Sequence, residues 1–319
     1  MGTPEFACPS LTYLVEAGHD VVGVVTRPDR PVGRGRKLTS PPVKRTAEEH
    51  GLQVLQVPRV NAKESVESLR ALSPDVVVVV AFGAILKAPL LNLAPRGAVN
   101  VHASVLPAYR GMAPVQWSLI HGQRHAGVTT MLMDDGVDTG PTLERSVVDI
   151  HPGETSGELL ARLAPLGGEL LVQSLSGLED GSLKPVPQSE IGASYAPRLE
   201  KEHGYLDLTR TAIEVANQYR GVTPAPGARV FLGEEPLIVG SLRSVPDSGG
   251  EPYTVLEVES RHLRVATGEG AVDLIRVRPA GKNDMEGSAF ARGRRVEIGD
   301  KLSPPPSLPD LELKIAVAR

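Results

Sequence analysis

Residues 74 to 81 read Pro-Asp-Val-Val-Val-Val-Val-Ala, and few folds can hold such a run. β-Branched side chains are stiff at χ1 and pack well on a pleated surface. A short apolar run without polar alternation is the pattern of a strand covered on both faces. Shorter runs of the same kind occur at 21–26, 53–57, 97–102 and 128–133, while 9–18 and 63–72 carry helical spacing. Strands alternating with helices predict an α/β fold with a doubly wound, Rossmann-like parallel sheet. Ligands of such sheets gather at the carboxyl ends of the strands.

The 319 residues suffice for two domains. Residues 154–178 predict a leucine-rich helix, with Leu159, Leu163, Leu166 and Leu170 at helical spacing and Thr155 or Ser156 as its cap. Pro165 and the pair Gly167-Gly168 are expected to break or bend it. The Pro-, Ser- and charge-rich stretch 182–204 reads as a linker after a catalytic domain over 1–181. Beyond one short helix at 210–219, β-rich pieces near Arg229, Pro236, Tyr253, Leu263 and Val272 are separated by Gly and Pro. That texture predicts a small OB-like β-barrel over 205–302, followed by a poorly ordered tail at 303–319. The opening Met1-Gly2-Thr3-Pro4 reads as a loop that ought to follow a strand.

Charge excludes one class of function. Lys plus Arg is 34 against 38 Asp plus Glu, a formal net charge of −4. A protein that coats nucleic acid through its global field is more basic, so any such contact must come from a local patch. Residues 26–45 supply one: Arg27, Arg30, Arg34, Arg36, Lys37, Lys44 and Arg45 against the single acid Asp29, with Gly33 and Gly35 for flexibility. A mobile cationic loop of this kind suits phosphate contact and is expected to order on binding. Cys8, the one cysteine, leaves no internal disulfide and no cysteine zinc cage. No apolar run approaches the ~20 residues of a membrane span. The reading is of a cytoplasmic monomer.

Asn100 and His102 stand two apart on a strand pattern, so both point to the same face. The segment Met133-Asp-Asp-Gly-Val-Asp-Thr-Gly-Pro141 follows, with carboxylates at Asp134, Asp135 and Asp138. An amide can donate to a developing oxyanion, a histidine can donate or shuttle a proton, and a carboxylate can orient the imidazole. These parts serve acyl transfer from an activated donor. No G-x-S-x-G nucleophile elbow accompanies them, which leaves direct attack by the acceptor as the simpler scheme. Asp134 and Asp135 read as loop-solvating. His121 and His125 have the spacing of a zinc helix without its Glu, and no metal is expected.

Asn100-x-His102, Ser104-Val105-Leu106-Pro107, Tyr109-Arg110-Gly111 and Asp138 together resemble the signature of the folate-dependent formyltransferases. SVLP stands where that family usually has SLLP. Glycinamide ribonucleotide and sugar formyltransferases share the signature, so it implies the chemistry and leaves the acceptor open. Gly2-Thr3-Pro4-Glu5-Phe6, the basic stretch 26–45 and Val277-Arg-Pro-Ala-Gly-Lys282 resemble the methionyl-tRNA formyltransferase branch. The likeness spans roughly residues 2–302. It implies 10-formyltetrahydrofolate as co-substrate, held by Ser104, Val105, Leu106 and Pro107 with Phe82, Gly83 and Ile85. It implies Asn100, His102 and Asp138 as catalytic residues and initiator Met-tRNA as partner. Arg34 is the leading tRNA contact, joined by Arg27, Arg30, Arg36 and Lys37, and by Arg292, Arg294 and Arg295 on the barrel. The alternative acceptor is a small amine such as an amino sugar nucleotide. The family's sheet begins with a strand just before the Gly2 loop. The expectation is therefore that the true start lies upstream and that the sheet has a gap beside Gly2.

Overall fold

The computed structural model describes residues 1–32, 35–259 and 261–315. Its first half runs α1 (Cys8–Glu16), β1 (Val24–Thr26), a hairpin of β2 (Arg30–Val32) and β3 (Lys37–Thr39), α2 (Pro42–Glu49), β4 (Val54–Gln56), α3 (Lys63–Arg70), β5 (Val77–Val80), α4 (Ala88–Leu91), β6 (Ala98–His102), β7 (Arg110–Gly111), α5 (Pro114–Ile120), β8 (His125–Leu132), β9 (Thr142–Asp149) and α6 (Ser156–Asp180). The valine run is β5, as its composition requires. It pairs in parallel with β6, and β1 pairs in parallel with β4. The sheet is not parallel throughout: β8 and β9 continue it antiparallel beyond β6. β8 and β9 are joined by the 133–141 loop, and so short a connection can only turn the chain back on itself.

Among the described residues β1 and β5 do not pair with each other. Met1 and Gly2 lie between their ends. The Gly2 amide donates to Val25 O at 3.0 Å, the Val80 amide donates to Met1 O at 2.9 Å, and the Met1 ammonium donates to Val78 O at 2.6 Å. Behind them a cavity of about 500 Å³ runs between the two strand edges, lined by Val22, Val24, Val76 and Val78 among others.

α6 begins with a capping box, in which the Glu158 amide bonds Thr155 Oγ1 and the Thr155 amide bonds the Glu158 carboxylate. It then runs through Pro165 to Asp180 without the break that the proline and glycines suggested. Its glycines serve close packing instead. A Cβ on Gly167 would stand 2.9 Å from Val101 Cγ1 on β6, and one on Gly168 would stand 2.6 Å from the Tyr13 ring on α1. Burial of the leucine face outweighs the local cost of the proline.

The second half runs β10 (Ser194–Ala196), α7 (Ala212–Val222), β11 (Arg229–Leu232), β12 (Glu235–Val245), β13 (Val255–Glu259), β14 (His262–Ala266), β15 (Ala271–Pro279), β16 (Met285–Glu286), α8 (Gly287–Arg294) and β17 (Lys314–Ile315). β11, β12, β15, β14 and β13 form an antiparallel sheet in that order. Its edge strands β11 and β13 share no ladder among the described residues, so the sheet is open. The two halves share one core: Tyr109, Trp117 and Ile120 pack with Val215, Tyr219 and Val222 of α7 and with Val239, Val265 and Leu274 of the sheet.

The tail departs from its expectation. Leu311 is buried in that shared core, and β17 pairs with β10, which in turn pairs with β7. Three residues of the stretch read as a linker, Ser194–Ala196, are thus a strand of a small sheet, because β7 and β17 give their backbone groups partners that a free linker would lack.

Candidate active site

β6 is held between β5 and β8, and its carboxyl end carries Asn100 and His102. This is where a parallel α/β sheet presents a ligand site. Asn100 lies opposite Val79, and its Nδ2 donates to Val79 O at 3.1 Å. That bond settles the amide orientation, since a carbonyl only accepts. One Nδ2 hydrogen stays free. Asn100 Oδ1 is buried and has no hydrogen-bond partner among the described residues.

His102 is buried, with Nε2 2.9 Å from Tyr109 O. The carbonyl requires that Nε2 carry the proton. Nδ1 faces Asp138 Oδ2 at 3.5 Å, an ion-pair contact longer than a good hydrogen bond. Nδ1 is therefore the ring nitrogen within reach of a substrate atom. Asp138 Oδ2 also accepts the Gly111 amide at 2.8 Å. Asp138 has φ 54°, a left-handed conformation uncommon for a residue with a side chain. His102 of β6 and Asp138 of the β8–β9 loop are thus brought together, with Asn100 two residues before His102 on the same strand.

The Ser104 to Pro107 turn is pinned beside them. Thr129 Oγ1 on β8 donates to Ser104 O at 2.7 Å and accepts the Leu106 amide at 3.2 Å, and Ser104 Oγ donates to Ala108 O at 2.6 Å. Leu106 is packed in the interior, while Val105 and Pro107 are half-buried. Phe82 is buried too, so it supports the neighbouring segment and shows no ring face, whereas Ile85 is 73% exposed. Arg27, grouped by sequence with the RNA-contacting loop, turns inward: its guanidinium donates to the carbonyls of Phe82 and Gly83. Asn61 Nδ2 holds Ile85 O at 2.8 Å.

Arg30, Arg36 and Lys37 are exposed on the β2–β3 hairpin; Arg34 lies outside the described residues. A hairpin replaces the unstructured loop expected there, because its base is tied down. Asp29 accepts Gln56 Nε2 at 2.6 Å and Lys44 Nζ at 3.2 Å. The Gln56 hydrogen bond, with Lys44 beside it, holds the Asp29 carboxyl below the usual range. Lys44 is therefore committed to the fold. Arg294 on α8 is paired with Glu235 at 2.5 Å.

Asp134 accepts Thr139 Oγ1 at 2.7 Å and the Gly136 amide at 3.1 Å, a loop-shaping role. His121 stacks on Tyr109, contacts its hydroxyl at 3.3 Å and bonds Leu311 O at 3.1 Å; burial pushes its pKa down. His125 pairs with Asp149 on the surface. Two polar residues beside the site, Gln188 and Glu190, come from the stretch read as a linker. No short-range pattern marks them, since their partners lie tens of residues away in the chain.

Comparison with known proteins shows the family. The family described as "Formyl transferase" matches residues 1–175, and "Formyl transferase, C-terminal domain" matches 198–295. The methionyl-tRNA formyltransferase of Trichlorobacter lovleyi is 44% identical over 304 residues, covering 95% of this chain and 96% of that protein. That of Halorhodospira halophila is 46% identical over 303 residues, covering 94% and 96%. Among solved structures, the sugar 3N-formyl transferase WlaRD superposes with a TM-score of 0.63 at 17% identity, covering 88% of this chain and 97% of that one. The N-formyltransferase of Helicobacter canadensis gives 0.62 at 18% identity, covering 86% and 97%. At such identity these two likenesses speak for the fold alone. With both domains matched and relatives similar along nearly their whole length, the chain belongs to the formyl transferase family, in its methionyl-tRNA formyltransferase branch.

Proposed function

We propose that the protein transfers the formyl group of 10-formyltetrahydrofolate to the amino group of initiator Met-tRNA, in the cytoplasm, as a monomer. The observation that carries the reaction is the pairing of Asn100 and His102 at the end of β6 with the Asp138 carboxylate 3.5 Å from His102 Nδ1. Oδ1 accepts an N–H of the incoming, neutral methionyl amine and aims its lone pair at the formyl carbon. As the new C–N bond forms, the carbonyl pair moves onto oxygen. The second Nδ2 hydrogen of Asn100 and, with His102 in its cationic form opposite Asp138, the Nδ1–H of His102 stabilise that oxyanion. Asp138 receives the proton shed by the amine, directly or through one water. The C=O bond then re-forms, the bond to the folate nitrogen breaks, and Asp138 passes the amine's proton on to that nitrogen, directly or through the same water. The products are formylmethionyl-tRNA and tetrahydrofolate. The folate lies along the turn from Ser104 to Pro107 and the segment from Phe82 to Ile85, whose carbonyls Arg27 and Asn61 hold in place.

The tRNA is met by the β2–β3 hairpin and the C-terminal domain. We read that domain as an OB-like curled sheet. Residues 300–303 lie between its two edges, with Ser303 bridging Phe231 and Lys301 bridging Thr254. The test of function is labelled formyl transfer to Met-tRNA, with free methionine, uncharged tRNA and an amino sugar nucleotide as controls. Transfer to the sugar in preference to Met-tRNA would refute the acceptor. For the hairpin, an Arg36→Ala, Lys37→Ala protein is expected to bind tRNA less tightly. Each phosphate that is no longer neutralised should reduce the slope of log affinity against log salt by about 0.7–0.9. An unchanged slope would remove these two residues from the interface.

A further inference from the structure

We propose that Gln188 is a positioning residue for Asp138, closing a ring of hydrogen bonds that fixes where the Asp138 carboxylate meets His102. The inference rests on the role of Asp138 in formyl transfer given above. Gln188 Nε2 donates to Asp138 O at 2.8 Å and to Gly140 O at 2.7 Å, using both amide hydrogens. Its Oε1 accepts Arg110 Nε at 3.1 Å. The Arg110 side chain is only 1% exposed, and its two terminal nitrogens are taken by Glu190 at 3.1–3.3 Å. Gly111, the next residue, returns its amide to Asp138 Oδ2 at 2.8 Å. One residue, Asp138, is thus gripped twice. Gln188 holds its carbonyl, and the neighbour of Arg110 holds its carboxylate.

The grip has something to oppose. Asp138 sits at φ 54°, which for a non-glycine residue is held only when its surroundings over-determine it. Next to it, Gly140 comes so close to Leu132 O that a Cβ would lie 1.9 Å away, so the loop has no slack on that side. Without Gln188, two carbonyls and a buried arginine Nε lose their partners together, and the peptide at Asp138 is free to rotate. Rotation would swing the carboxylate from its 3.5 Å contact with His102. Glutamate cannot substitute. Its carboxylate would suit Arg110 and repel both loop carbonyls, because it has no hydrogen to give them.

The experiment measures kcat, KM for Met-tRNA and the pH profile of kcat for Gln188→Ala, Gln188→Glu, Asp138→Ala and the Gln188→Ala, Asp138→Ala double variant, with thermal melts of each. A misplacement of about 1 Å in a reacting group can cost about 10²-fold in rate. The expected result is a fall of about 10²-fold in kcat for both Gln188 variants. KM stays nearly constant, and the pH limbs of kcat move relative to the wild type. Gln188→Ala should add nothing once Asp138 is alanine. Full additivity in the double variant would mark Gln188 as merely structural and overturn the proposal. So would a wild-type kcat in Gln188→Ala beside a slow Asp138→Ala. A wild-type kcat in Asp138→Ala would instead overturn the catalytic reading of Asp138 and this inference with it. Should Gln188→Ala fail to fold, Glu190→Gln loosens Arg110 from an exposed position. It is expected to lower kcat several-fold with the same non-additivity, and a wild-type kcat or full additivity there would count equally against the ring.

Discussion

Replacing Asn100 by alanine is expected to lower kcat for formyl transfer by about 10²–10³-fold while leaving the protein folded, the usual effect of removing one oxyanion donor. The cause is local. Among the described residues the Asn100 side chain makes one hydrogen bond, to Val79 O, so the fold gains little from it. Its buried Oδ1 has no hydrogen-bond partner among them. A buried acceptor left unmade costs about 1–3 kcal/mol, a cost that is recovered when the substrate amine arrives. Asn100→Asp is the sharper variant. It keeps the shape but turns a carboxylate toward Val79 O and removes the donor, so it should be at least as slow as alanine. Single-turnover kinetics with saturating Met-tRNA reads the chemical step directly. Near-wild-type rates in either variant would take Asn100 out of the mechanism.

The second large effect concerns stability. In the C-terminal sheet, one cross-strand row carries Arg243 on β12, Asp273 on β15, Arg264 on β14 and Glu257 on β13. Asp273 is fully buried and accepts Arg243 Nη2 at 2.5 Å and Arg264 Nε at 2.7 Å. Arg264 also reaches Glu257, and His262 Nε2 lies 3.6 Å from both acids. Removing one member of a buried ion pair costs about 3–5 kcal/mol, because the other charge stays desolvated. Arg264 retains Glu257 and Arg243 is largely exposed, so Asp273→Ala should fall at the low end, about 3 kcal/mol. Urea unfolding of the C-terminal sheet measures it. A loss under about 1 kcal/mol would show that the row is no better than a surface pair.

The pH dependence of that contribution follows from the same row. Burial alone would raise the Asp273 carboxyl, but the hydrogen bonds from Arg264 and Arg243 outweigh it and hold the group below its ordinary value. A depressed carboxyl pKa means that protons bind the unfolded chain first as the pH falls. The stability from Asp273 is therefore whole above about pH 4, the unfolded carboxyl value, and is lost as the pH drops through the lower folded value. The gap between wild type and Asp273→Asn should narrow over that window and be flat at neutral pH.

Much of the site is legible in residue type and spacing. Asn100 and His102 are marked by being polar on an apolar strand, and Asp138 by its glycine-flanked loop. Strand and helix periodicities are local, so β5, β6 and α1 lie close to where the pattern placed them. The misreadings share one cause. Pro165 and Gly167 read locally as breaks, yet α6 is continuous because its buried leucine face outweighs their local cost, and the glycines let β6 and α1 approach where a side chain would clash. Arg27 read only as a cation of a basic loop, and its hydrogen bonds to the carbonyls just beyond β5 were not legible in the sequence. The stretch 182–204 and the tail read as linker and loose end from composition. Their ordering depends on β7 and on a core built by both halves of the chain.

The sequence by itself determined the α/β class and the family, because each is written in residue type and short spacing. Only the tertiary structure decided that Asn100 offers an unpaired acceptor, that His102 turns Nδ1 to Asp138, and that Gln188 braces the Asp138 loop. These are contacts between residues far apart in the chain. Their free energies depend on burial and on angles that only the packed molecule sets.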